Sequence, residues 1–262
     1  MAGNRIYMSE EIKRIVRQRC GFGCVVCGLG YYDYHHVTPY SKVKEHNPYD
    51  IVLLCAHHHT EFERGRLSGR KLLNAAKAPM AIQLGYAHGV FESSDKPLRV
   101  NIGGNAMINT PTIIAVGSVP IIGFTRPENI GEPWQMTAFM TDTNGTPLLS
   151  IKENIWNIHP TKWDVQAEGQ ILTIRNGSRD IGVRLRHEPG ESLTIERLKM
   201  RFAGYYIDGT EHRLMINTNT ISGSMISNGS VGISLGVDDA MESIIAKWSR
   251  AVGNRFALGV QK

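Results

Sequence analysis

Residues 24–40 read CVVCGLGYYDYHHVTPY: two cysteines two residues apart, a tyrosine-rich run, then two adjacent histidines. A second short stretch, DIVLLCAHHHTEF (50–62), pairs Cys55 with His58 at the same interval. Each C-x2-C or C-x2-H pair forms a tight turn that offers two side chains to one ion, and the long intervening segment lets the pairs meet. Cys24, Cys27, Cys55 and His58 are therefore the expected ligands of a structural Zn²⁺. Cys20 keeps an alternative open, because C-x3-C with Cys24 makes a four-cysteine site that omits His58.

All four cysteines fall within the first 55 residues of a 262-residue chain. A secreted disulfide scaffold spreads its cysteines over the fold it staples, so metal is the better account. No stretch approaches the roughly 20 apolar residues of a membrane span, and charges arrive early in MAGNRIYMSEEIKR. A cytoplasmic protein without membrane contact is expected. Lys and Arg outnumber Asp and Glu by 14 to 9 in residues 1–100 and balance at 15 to 15 thereafter, so the net charge of +5 belongs to the first part. That asymmetry points to a polyanion partner.

The segment SEEIKRIVRQR (9–19) predicts a basic amphipathic helix, with Ser9 as N-cap and Ile12, Ile15 and Val16 on one face, ended by GFG at 21–23. Two short strands follow, YDYHHVTPY and DIVLLC, separated by the polar loop SKVKEHNP. A helix is expected from near His57 through HHHTEFER, and another over GRKLLNAAK before Pro79. From about residue 100 cysteine vanishes and 18 of the 27 glycines appear, which predicts a mostly β domain. Asn176-Gly177 reads as a hairpin turn, with Ile181, Val183 and Leu185 alternating against Gly182, Arg184 and Arg186. The Asn/Ser/Gly-rich stretch 215–236 admits a short β-solenoid beside a sandwich or barrel. Asp238-Asp239 open a closing helix that Ile244, Ile245 and Trp248 can dock.

A closed zinc shell leaves His35, His36 and His59 to be explained. Successive strand residues point to opposite faces, and helical neighbours such as His58 and His59 diverge by about 100°. One helical histidine can thus face the zinc while the next turns toward the strands, making a second site from His35, His59 and the nearby His36.

The stretches Arg14 to Gly28, His35 to Pro39 (HHVTP) and Asp50 to His59 together resemble the zinc-stapled HNH (ββα-metal) endonucleases, over roughly residues 10–75. The resemblance implies a ββα-metal, treble-clef-like domain over residues 1–95; with the β-rich domain that the turn and strand signals predict over 100–262, whose role in target selection, sensing or oligomerisation the sequence leaves open, the chain is expected to be α+β. It implies hydrolysis of phosphodiester bonds in DNA, with RNA as the other candidate. His35 and His59 would hold a catalytic Mg²⁺ or Mn²⁺, and His36 would be the general base. Where the family carries asparagine, five residues before the cysteine, this chain has Asp50, which accepts hydrogen bonds but cannot donate them when ionised. Asp50 could instead orient His36 or add charge near the ion.

Arg14, Arg17, Arg19, Lys42, Lys44, Arg64, Arg66, Arg70 and Lys71 are candidates for phosphate contact as a group. Tyr31, Tyr32 and Tyr34 suit either base stacking or packing, and His46 and His57 read as ordinary surface histidines. A double-strand break from one active site per chain needs two protomers or two visits, so a homo-oligomer is expected. By analogy of architecture, a small nuclease joined to an unrelated β domain fits restriction or anti-phage defence. The other class of function is a zinc-stabilised nucleic-acid-binding module without cleavage activity.

Overall fold

A computed structural model describes residues 7–91, 96, 98–129, 132–158, 164–175, 177 and 179–251, the side chains of 248–251 excepted. The chain is mixed α+β and mostly β, and it divides into two compact units. One comprises Met1–Gly89 with Ile158–Glu168, and the other Val90–Asn157 with Gly169–Lys262. The segment Ile158–Glu168, which sequence patterning assigns to the β-rich part, thus groups with the first unit.

In the first unit, helix α1 (Glu10–Arg19) starts where the Ser9 hydroxyl accepts the Ile12 N–H at 3.3 Å and stops at Cys20, beyond which Gly21 and Phe22 take positive φ. Val16 is fully buried, whereas Ile15 is 37% exposed, so the apolar stripe is narrower than the sequence suggests. Strand β1 (Asp33–His36) pairs antiparallel with β2 (Ile51–Leu54), setting His35 opposite Val52 and His36 opposite Ile51. The loop between them holds one helical turn, α2 (Tyr40–Val43). Every residue of β2 is buried, which its unbroken Ile-Val-Leu-Leu run requires. Helix α3 (Ala56–Glu63) follows directly, then α4 (Gly69–Lys77) and α5 (Met80–Leu84). Val16, Val25, Ile51, Leu53, Leu54 and Leu72 form the core beneath them.

An ion pair crosses this core. Arg17 donates from Nε and Nη2 to the two carboxylate oxygens of Asp164, each at 2.7 Å, and from Nη1 to the Tyr34 hydroxyl at 2.7 Å. Arg17 is 2% exposed and Asp164 4%. Tyr32 donates to the Val165 carbonyl at 3.3 Å and meets Tyr34 edge to face. These tyrosines are packing residues, and burial raises the hydroxyl pKa of both, that of Tyr34 to about 12.

The second unit is built on two antiparallel arrays. Thr112–Val116, Val119–Thr125, Gln135–Thr141 and Pro147–Lys152 run as a meander, with Val231–Leu235 added parallel to the first. Ile171–Arg175, Ile181–Glu188, Ser192–Phe202, Tyr205–Thr210, Leu214–Ile216 and Asn219–Ile221 form the other. Ile171–Arg175 and Ile181–Glu188 pair as the expected hairpin, although Asn176 at its turn lies outside the described residues. Val183 and Leu185 are buried, while Arg184 and Arg186 share Glu196 on the neighbouring strand.

Stretch 215–236 does not stack into coils, and no closed barrel forms among the described residues. Its segments go to different partners: Leu214–Ile216 and Asn219–Ile221 to each other, Met225–Ser227 to Asn105–Ile108, and Val231–Leu235 to Thr112–Val116. Positive φ at Asn217, Gly223 and Asn228 redirects the chain between them, so the Asn and Gly content serves corners rather than a repeating ladder. The closing helix Asp239–Ala251 buries Ile245 and leaves Ile244 60% exposed; the Trp248 side chain lies outside the described residues. No helix among the described residues is long and apolar enough to cross a membrane.

Removing one partner of a buried ion pair strands the other charge, at about 3–5 kcal/mol. Arg17→Met is expected to destabilise the first unit by that amount in chemical denaturation followed by circular dichroism. A loss below about 1 kcal/mol, the range of exposed pairs, contradicts the buried-pair account.

Candidate metal centre and active site

The two halves of the centre are a turn and a helix start. Cys24 N–H donates to the Leu29 carbonyl at 2.8 Å and Gly28 N–H to the Cys24 carbonyl at 2.7 Å, closing the Cys24–Cys27 knuckle. Gly28 sits at φ +80°, and a Cβ on Gly23 would lie 2.5 Å from the Gly28 carbonyl oxygen, so the knuckle needs both glycines. Three other segments grip it: Val25 N–H donates to Leu53, Met80 N–H donates to Val25, and Gly30 N–H donates to His88. Cys55 is the N-cap of α3, its carbonyl accepting the His59 N–H at 2.9 Å. His58 consequently falls in the first turn.

The ligand atoms of Cys24, Cys27, Cys55 and His58 all lie within 4.8 Å of one another. Cys27 Sγ is 3.8 Å from Cys55 Sγ, and His58 Nδ1 is 3.5 Å from Cys24 Sγ and 3.2 Å from Cys55 Sγ. Tetrahedral zinc, with bonds of about 2.3 Å to sulfur and 2.0–2.1 Å to nitrogen, needs edges of about 3.8 Å between sulfurs and about 3.6 Å from sulfur to nitrogen. The donor set and its spacing therefore fit structural zinc. No cysteine is in a disulfide. The Cys24 thiol is pulled down to about 4, chiefly by the hydrogen bond from Cys27 and then by backbone N–H groups including those of Cys55, Val26 and Cys27, against its burial. Cys27 is correspondingly pushed up as the donor of that bond. Cys20 is fully buried outside the group, and burial pushes its thiol up to about 11. It serves as a small apolar core residue.

The remaining histidines separate onto the two sides of β1. His35 faces α3: its ring meets His59 edge to face at 4.8 Å and Phe62 at 4.7 Å, and its Nε2 is buried with no hydrogen-bond partner. His59 Nδ1 lies 3.4 Å from the Glu63 carboxylate one turn along. His36 faces the other way, against Tyr40 and His46. Burial lowers the pKa of both strand histidines; neighbouring His59 adds to this at His35, as His46 does at His36. Among the described residues the Cys/His group is the only cluster of three or more metal-type side chains with converging ligand atoms, so His35 and His59 stand as a pair.

The charge of Asp50 acts on both His35 and His36, opposing the effect of burial, while its hydrogen bonds go to Thr38. Its carboxylate accepts the Thr38 N–H at 3.2 Å and the Thr38 hydroxyl at 2.9 Å, while its carbonyl accepts the Val37 N–H at 2.8 Å. The groups it must satisfy are all donors, so an acceptor-only side chain suffices to hold the chain leaving β1.

The basic residues sort by burial. Arg17 is withdrawn from any nucleic-acid surface by the Asp164 pair. Arg19 donates to the Pro48 and Ile51 carbonyls and lies over the Tyr49 ring, anchoring the β1–β2 loop. Arg66 is exposed but paired with Glu61. Lys42, Lys44, Arg64, Arg70 and Lys71 are exposed, and Arg14 is half-buried. His57 is exposed beside His58, whereas His46 is no ordinary surface histidine: its Nδ1 is 3.0 Å from His36 Nε2. Sequence offers no direct signal for that contact, since His46 belongs to no motif.

Comparison with protein-family models, with curated proteins and with solved structures gives no match.

Cys24→Ser and His58→Ala are each expected to lose bound zinc and unfold the first unit, while Cys20→Ser retains one zinc per chain by metal analysis. Loss of zinc from Cys20→Ser instead would make Cys20 a ligand. Asp50→Ala, which leaves the Thr38 donors without their acceptor, should cost about 1–3 kcal/mol. Asp50→Asn keeps an acceptor and should cost less; equal losses would show that the carboxylate's acceptor role is not what matters.

Proposed function

We propose that this chain is a metal-dependent HNH-type endonuclease that hydrolyses phosphodiester bonds in DNA through its first unit. What supports the reading is one arrangement: a β-hairpin followed at once by a helix, with a Cys₃His group at the helix start, His35 and His59 facing each other across strand and helix, and His36 on the strand's other side.

Cys24, Cys27, Cys55 and His58 would hold a structural zinc. His35 and His59 would hold the catalytic Mg²⁺ or Mn²⁺; the unpartnered buried Nε2 of His35 suits a ligand, and Glu63 can accept the Nδ1 proton of His59 and so leave its Nε2 free. When bound, that ion supplies positive charge beside the scissile phosphate and the leaving 3′ oxygen. His36, whose pKa burial and His46 lower, can take a proton from an attacking water. Asp50 fixes the chain just beyond the base through Thr38. Exposed Lys42, Lys44 and Arg64 supply sequence-independent phosphate contacts.

The second reading, a zinc-held nucleic-acid-binding module without cleavage, is favoured by one observation: among the described residues only the Cys₃His group brings three or more metal-type ligands together. Plasmid cleavage with Mg²⁺ or Mn²⁺ separates the two. Nicking by wild type, with His36→Ala reduced about 10²-fold or more at equal zinc content, is the nuclease result. Salt-dependent DNA binding with no cleavage by either protein is the result for a binding module.

A further inference from the structure

Beside β1 three rings close on one another. His36 Nε2 is 3.0 Å from His46 Nδ1, with ring centroids 5.1 Å apart. Tyr40 stacks on His46 at 4.8 Å and 19°, and meets His36 at 5.5 Å and 62°. Every pair in the triangle is in contact, so no ring can turn without breaking one. The loop that carries His46 is itself anchored: the Asn47 carbonyl accepts the Asp50 N–H at 3.0 Å, and Arg19 holds the Pro48 carbonyl at 3.1 Å. Asp50 is spent on Thr38, which leaves the orientation of His36 to His46 and Tyr40.

A hydrogen bond between two neutral imidazoles needs one donor and one acceptor. With His46 donating, the lone pair of His36 is consumed at Nε2 and its Nδ1 carries the proton, so neither nitrogen can serve as a base. With His36 donating from Nε2, its Nδ1 keeps a free lone pair. We propose that His46 is a positioning residue: it accepts the Nε2 proton of His36, fixing the tautomer in which Nδ1 is the proton-accepting nitrogen, while Tyr40 holds His46 in place. The choice of tautomer and the role of Nδ1 as base both rest on the nuclease reading; the contact between His36 and His46 does not. In the step itself, water gives a proton to Nδ1 as its oxygen bonds phosphorus. The bond from phosphorus to the 3′ oxygen breaks, that oxygen takes a proton from solvent, and the imidazolium later releases its own to solvent.

The test uses full-length protein labelled with ¹⁵N at the histidine rings, with the His36 resonances assigned by their absence in His36→Ala. Two-bond proton–nitrogen spectra are expected to show His36 protonated at Nε2 in wild type. A mixture of tautomers is expected in His46→Ala and in His46→Phe, which keeps a ring on Tyr40 but has no acceptor. The Nε2 form should return in His46→Asn, whose Oδ1 can accept. In plasmid cleavage His46→Ala and His46→Phe should lose about 10-fold or more in kcat, part of the 10²–10⁴-fold typical of general-base catalysis, at unchanged KM, with His46→Asn rescuing. His36 protonated at Nδ1 in wild type, or a tautomer indifferent to His46, overturns the inference while leaving any nuclease activity standing. The expected tautomers in a protein that does not cleave DNA would overturn the role of Nδ1 as base and the nuclease reading with it, and uphold the contact.

Discussion

The convergence of Cys24, Cys27, Cys55 and His58 sets the rotation of α3, and the rest of the site depends on that rotation. Cys55 is both a member of the group and the N-cap of the helix, and His58 is one turn in, so an ion held by both would fix the helix about its own axis. His59, about 100° further round, is thereby turned to His35 on β1. Phe62, on the same helix, packs on His35 and on the core and adds to that hold. The knuckle that supplies the other two ligands is gripped by β2, by the start of α5 and by the chain at His88, which joins the centre to the core around it. A zinc ion held there would add folding free energy to that of the apolar core.

A second constraint comes from far along the chain. Arg17 projects from α1 into the interior and is neutralised by Asp164, with Tyr34 of β1 taking a third hydrogen bond. Neither charge is stable there alone, so α1, β1 and the returning segment are fixed together. The first unit is consequently not a contiguous stretch, and a fragment ending near residue 95 would carry Arg17 without its partner.

What was legible in the sequence was local. The paired cysteines, the Ser9 cap, the strand–loop–strand–helix order and the opposed directions of His35 and His36 each follow from intervals of a few residues, where strand and helix periodicity decide the outcome. The basic character of Arg17 suggested phosphate, because nothing near it in sequence reveals an aspartate 147 residues away. His46 was unreadable for a related reason: its partner is ten residues off, across a loop whose course depends on Arg19 and Asp50. At Asp50 the acidic residue becomes intelligible only once the Thr38 N–H and hydroxyl are seen to donate to it. The Asn- and Gly-rich stretch near the end shows composition without register: the same residues serve coils or corners, and pairing partners decide which.

The most direct measurement of the central claim is zinc-edge X-ray absorption on the full-length protein. The account predicts one zinc with three sulfur ligands at about 2.3 Å and one nitrogen at about 2.0–2.1 Å, which places His58 on the metal and therefore His59 off it. A four-sulfur shell, with Cys20 in place of His58, would free the rotation of α3 and contradict the account, as would a chain that retains no zinc.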